Sequence, residues 1–94
     1  MTTAPANIRL CDGIRYQQVA DEGIVLRQAA GEILVLNEVG MRVLALLDKG
    51  MVVPEIVDRL AAEFDAEAGR LAADVAGFVA ELRSAGIIEA GAPP

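Results

Sequence analysis

Hydrophobic and polar positions along the chain change period once, near Asn37. Before that point the pattern is short and strand-like. Ile14-Arg15-Tyr16-Gln17-Gln18 alternates, Asp21-Glu22-Gly23 supplies turn residues, and Ile24-Val25-Leu26-Arg27-Gln28 forms a second run. Ala29-Ala30-Gly31-Glu32 is a second turn leading into Ile33-Leu34-Val35-Leu36. Three runs joined by tight connections predict an antiparallel meander. The third run breaks the alternation, because apolar residues occupy both of its faces, whereas a half-buried strand places apolar side chains on one face only. A helix packed over it, a partner strand added beside it, or both would cover the second face, and the function is placed on this segment.

After Asn37 the period becomes helical. Asn37 is an N-cap residue with Glu38 in the first turn, and Val39, Val43, Leu46 and Leu47 recur at i, i+4, i+7 and i+8. Gly50 closes this helix. Pro54 suits the first turn of a second helix, with Ile56, Val57, Leu60, Ala61 and Phe64 as its inner face. Asp65 is expected to cap a third and longest helix carrying Leu71, Val75, Phe78, Val79 and Leu82 and stopped by Gly86. Ile87 and Ile88 then dock back on the body. Gly69 and Gly77 inside a helix each cost about 1 kcal/mol relative to alanine. The expected organisation is a flexible N-terminus over residues 1–7, one domain over 8–89 and a disordered tail over 90–94, with no repeat or linker, and the short chain suits a standalone partner.

Composition removes several classes of function. Ninety-four residues make one domain with room for one economical core. There is no histidine and only one cysteine, so Cys11 can form no intrachain disulfide and can be neither half of a zinc site nor a nucleophile beside an imidazole, and no metal-ligand spacing exists. No phosphate-binding glycine loop follows a strand, and the carboxylates fall on polar helix faces or in turns. The chain is therefore read as a non-enzyme without cofactor or metal. No uncharged apolar run approaches the roughly 18 residues of a membrane helix, and no secretory signal precedes the domain, so a cytoplasmic protein is expected. The net charge of −6 argues against a nucleic-acid surface, which needs clustered Lys and Arg.

Three strands followed by three helices define an α+β domain of winged helix-turn-helix type. Such a scaffold reads DNA or holds a peptide. A DNA reader presents exposed basic or amide side chains on one helix. Here Arg59, Arg70 and Arg83 stand among Asp58, Glu63, Glu67, Asp74 and Glu81.

Leu34-Val35-Leu36-Asn37-Glu38-Val39-Gly40, followed by Val43-Leu44-Ala45-Leu46-Leu47-Asp48-Lys49-Gly50, resembles an apolar strand, a Leu-Asn-Glu-Thr-Gly motif and a helix ending in Leu-Leu-Asp-Gly. Pro54-Glu55-Ile56-Val57 is similar to a Glu-Glu-Ile-Val element, Ala73 to Leu82 resembles an Asp-Val-x-x-Phe-Leu-x-x-Leu helix, and Gly86-Ile87-Ile88-Glu89 stands where Gly-Leu-Leu-Glu is usual. Together, from about Ile8 to Glu89, these resemble the PqqD-like family, the precursor-peptide recognition elements of ribosomally made and post-translationally modified peptides. The resemblance implies a non-catalytic adaptor that binds a leader peptide as an extra antiparallel strand between the third strand and the third helix. The adaptor then delivers it to a modifying enzyme, such as the leader peptidase or cyclase of a lasso peptide pathway or a radical SAM enzyme as in PQQ assembly. Carried over, Ile33, Leu34, Val35 and Leu36 form one wall of the groove, and Arg70, Asp74, Val75 and Phe78 the other. The sequence departs from the family at Val39, where Thr is common, and at Leu34, where an aromatic is frequent.

Physical reasoning agrees with that mechanism. An edge strand offers unpaired N–H and C=O groups that template a partner strand. Ordering about five leader residues costs roughly 5–10 kcal/mol, and four or so net hydrogen bonds return about 4 kcal/mol. Two or three buried apolar leader side chains, at about 1.5–3 kcal/mol each, must supply the rest. The alternatives are a DNA-binding winged-helix regulator and a dimerisation module whose third strand pairs with its own copy. The expected state is a monomer or weak homodimer. At least two of Ile33 to Leu36 are expected to be plain core, and Arg70 and Asp74, at i and i+4, are either rim contacts or a surface pair.

Overall fold

The structure, a computed structural model, describes residues 8–90. The N-terminal segment and all of the expected tail except Ala90 lie outside them. Five strands and three helices follow in the order β1 (Ile8–Leu10), β2 (Ile14–Val19), β3 (Glu22–Arg27), β4 (Glu32–Leu36), α1 (Glu38–Asp48), α2 (Val53–Phe64), α3 (Ala68–Ser84) and β5 (Ile88–Ala90). The expected meander is the antiparallel sheet β2-β3-β4, and the three helices follow it.

A second sheet was not foreseen. β1 and β5 pair antiparallel, with Ile8 opposite Ala90 and Leu10 opposite Ile88. Ala90 therefore ends a strand rather than beginning a tail. Three-residue strands carry too little pattern to be read by alternation, so only the docking of Ile87 and Ile88 was legible, and both are buried. Cys11 follows β1 and its amide donates to the Ile87 carbonyl at 2.9 Å. Burial, the first cause, and the neighbouring Glu89 carboxylate push its thiol pKa up, which makes the thiol less reactive.

Asn37 caps α1 as expected, its Oδ1 accepting from the Gly40 amide at 2.8 Å. The helix is buried on a wider face than the Val39–Leu47 stripe, since Met41 and Leu44 are also enclosed. α1 packs on β1, β3, β4 and α2. Met41 lies against the sheet where β3 carries Gly23, and a Cβ there would overlap the Met41 side chain, reaching its Cβ at 2.8 Å. Gly50 ends the α1 turn at φ +89, and Pro54 sits in the first turn of α2.

Two helix-boundary expectations are corrected. Asp65 does not cap α3; it ends α2 in the left-handed conformation at φ 50, which a short polar side chain tolerates. Glu67 is the cap, its carboxylate accepting from the Gly69 and Arg70 amides at 2.9 and 3.0 Å. Gly69 then has a local reason, because a Cβ there would come within 2.8 Å of that carboxylate. Phe64 is exposed at the end of α2, so the inner face of that helix is Ile56, Val57 and Leu60, with Ala61 partly buried.

The core joins Val25, Val43, Leu44, Leu46 and Leu47 of α1, the buried residues of α2, Leu71, Val75, Val79 and Leu82 of α3, and Ile87 and Ile88. No charged or polar residue is buried among the described residues. Three exposed or half-exposed ties fix the elements: Tyr16 donates to Asp48 at 2.6 Å, Arg42 forks onto Glu63 at 2.7 and 3.0 Å, and Arg27 donates to the Ala85 carbonyl at 2.6 Å. The last matters for the site, because it anchors the C-terminal end of α3 to the middle strand. α3 otherwise packs on α2 and β5 rather than along β4.

Candidate functional site

β4 pairs with β3 through the register Gly23–Leu36, Ile24–Val35, Val25–Leu34, Leu26–Ile33 and Arg27–Glu32. It has no second neighbour among the described residues, and β5 pairs with β1 instead. The open edge therefore presents the unpaired backbone groups that strand addition requires.

The expectation that a helix covers the second face of β4 is corrected. Leu34 and Leu36 face inward and pack on the core, whereas Ile33 and Val35 are 68% and 63% exposed. The helices contact the inner face of the sheet, so the outer face stays open. The apolar residues on both sides of β4 thus serve two different surroundings.

Beside the open edge, between the end of β4, the first turn of α1 and α3, lies a groove of about 600 Å³. Val35, Leu36, Asp74, Val75 and Phe78 line it, so most of the residues anticipated from sequence converge there. Ile33 instead lies on the outer sheet face, Leu34 packs into the core, and Arg70 is exposed outside the lining. Arg70 and Asp74 form no ion pair; those among the described residues are Arg9–Glu89, Arg27–Glu32 and Arg42–Glu63.

Five further lining residues were not anticipated: Asn37, Val39, Gly40, Leu71 and Glu81. The first three belong to the turn linking β4 to α1. Since that turn follows the strand directly, its side chains form the end wall of any groove along β4, and this adjacency was the available signal. Glu81 follows Asp74 and Phe78 at i+7 and i+3, on the same helix face.

Phe78 forms the groove's apolar floor, half-buried against α1 at Gly40. A Cβ at Gly40 would stand 3.0 Å from the ring Cζ and 3.2 Å from the capping Asn37 oxygen. The Asn-Glu-x-Gly stretch thereby acquires a physical meaning. Asn starts the helix, and glycine three residues later leaves room for both the cap and the aromatic ring.

The groove is apolar at its base and carboxylate-bearing at its rim, where Asp74 and Glu81 are exposed. No cluster of His, Cys, Asp or Glu that could hold a metal occurs among the described residues, nor does any helix long and apolar enough to cross a membrane. The site is an apolar cleft beside an unpaired strand edge.

The family defined by coenzyme PQQ synthesis protein D (PqqD) matches residues 22–88, and the chain belongs to it. Among solved structures, TbiB1 in complex with the TbiA(beta) leader peptide is similar at 27% identity and a TM-score of 0.82, covering 90% of this chain and 99% of that one. Lasso peptide synthetase B1 complexed with the leader peptide has the same TM-score at 24% identity, covering 89% and 99% of the two chains, and supports the fold. No curated protein matches the sequence.

Proposed function

We propose that this protein is a non-catalytic leader-peptide recognition element. It binds the leader of a ribosomally made precursor as an antiparallel strand on β4, with inward leader side chains in the groove against α3, and presents the precursor to a separate modifying enzyme. The observation that carries this reading is the unpaired edge of β4 lying directly beside an apolar groove. Membership of the PqqD family and the leader complexes of its structural relatives support it. The modifying enzyme is the leader peptidase or cyclase of a lasso peptide pathway, or a radical SAM enzyme as in PQQ assembly.

The backbone edge supplies alignment, and the groove supplies affinity. Hydrogen bonds to β4 replace bonds to water and return about 1 kcal/mol each. Apolar leader side chains reaching Val39, Val75 and Phe78 add about 25 cal/mol for each Å² they bury.

The experiment is a titration of isotope-labelled protein with leader segments of short precursor peptides encoded beside its gene. Amide shifts are expected to concentrate on residues 32–40 and 71–81, and Phe78→Ala to weaken binding at least tenfold while Arg59→Ala leaves it unchanged. Shifts centred instead on the α2 surface around Asp58 and Arg59 overturn the proposal.

A further inference from the structure

The groove accounts for one face of β4 and leaves the other unexplained. On the outer face of the sheet the register aligns two rows of side chains. One runs Gln17–Ile24–Val35 and the other Arg15–Leu26–Ile33. Each begins with a polar residue on β2 and becomes apolar on β3 and β4. Exposure rises in the same direction, from 38% at Ile24 on the middle strand to 63% and 68% at Val35 and Ile33 on the open edge. A sheet that simply faced water would place its greasiest exposed residues away from an unpaired edge, because apolar edges invite association.

We infer that these rows are completed by the bound peptide itself: the leader strand carries apolar side chains on its outward face too, at two alternate positions opposite Ile33 and Val35. This rests on the strand-addition reading above and deepens it. In an added antiparallel strand, residues directly opposite Ile33 and Val35 must point to the same outer face, with Cβ atoms about 4.5–5.5 Å away. The rows then read polar, apolar, apolar, apolar from β2 outward. The peptide this site takes is therefore apolar in both phases of its alternation: one phase fills the groove between β4 and α3, and the other lies along Ile33 and Val35.

The patch is also the wrong size for other occupants. Ile24, Leu26, Ile33 and Val35 are four side chains in a strip two strands wide, far below the roughly 800 Å² per partner of a stable protein interface. Arg15 and Gln17 border the strip on the β2 side, so a broad partner would have to bury them. A single extended ribbon covers the apolar strip and leaves the polar border in water.

The test is selection from a displayed library of random twelve-residue peptides on three forms of the protein: the natural chain, Ile33→Thr with Val35→Thr, and Ile33→Thr alone. Threonine keeps the β-branched shape strands favour, and both positions are exposed, so each variant is expected to keep the natural circular dichroism spectrum. The natural chain is expected to enrich peptides with apolar residues in both alternating phases. The double variant is expected to lose enrichment in the outward phase and to bind peptides selected on the natural chain about tenfold more weakly, the combined effect of two lost apolar cross-strand pairs, and Ile33→Thr alone, which leaves the groove lining untouched, to lose enrichment at the one position opposite Ile33. Enrichment of a single phase on all forms overturns the inference while leaving peptide binding in the groove intact. Absence of any enrichment overturns the strand-addition reading and this inference with it. A natural chain that dimerises without peptide, by light scattering, while the double variant does not, assigns the strip to a second copy and also overturns the inference.

Discussion

At the residue scale, three glycines divide the legible from the illegible. Gly50 could be read from sequence because it follows the last apolar position of a helix. Gly23 and Gly40 could not, because their reasons are long-range: Gly23 makes room for Met41 and Gly40 for Phe78. Gly23 shows the difference most sharply. In the sequence it is a turn residue; in the structure it is a buried strand position opposite Leu36. Gly23→Ala is expected to destabilise the domain by about 1–3 kcal/mol through overpacking. The effect should be strongly non-additive with Met41→Ala, since the two share one space. A urea-denaturation double-mutant cycle measures this, and simple additivity contradicts the proposed contact.

At the element scale, the meander, the cap at Asn37 and the strand-to-helix order were legible because each is written in local periodicity or in one capping residue. The partition of β4 was not. Sequence shows that Ile33 to Leu36 are all apolar but not which pair meets the core, and the register with β3 decides that Leu34 and Leu36 do. Nor could local pattern show how strands and helices are tied. Tyr16 on β2 reaches Asp48 at the end of α1, and burial, followed by the hydrogen bond to that carboxylate, pushes its pKa up to about 12. A phenol with a raised folded-state pKa stabilises the fold fully below its unfolded value near 10. That contribution fades as pH rises toward 12. The stability difference between the natural chain and Tyr16→Phe, followed by chemical denaturation, is therefore expected to shrink between pH 10 and 12. A constant difference across that window contradicts the Tyr16–Asp48 linkage.

At the scale of the whole molecule, the β1–β5 pair turns a sheet and three helices into one body. Its strands are too short for sequence to reveal, and their partners are separated by nearly the whole chain. Ile88 places that pair inside the common core, where it is 2% exposed. Ile88→Ala is expected to cost about 2–5 kcal/mol. It should lower the melting temperature by roughly 10–40 °C in a single transition for a domain of this size. Two separated transitions would mean that the small sheet and the main body fold independently. The same pairing has a consequence for engineering. Because Ile8 and Ala90 face each other across it, polypeptide joined at either end would enter and leave through one doorway, so the domain is suited to grafting as a cassette into a surface loop of another protein with little strain on its host.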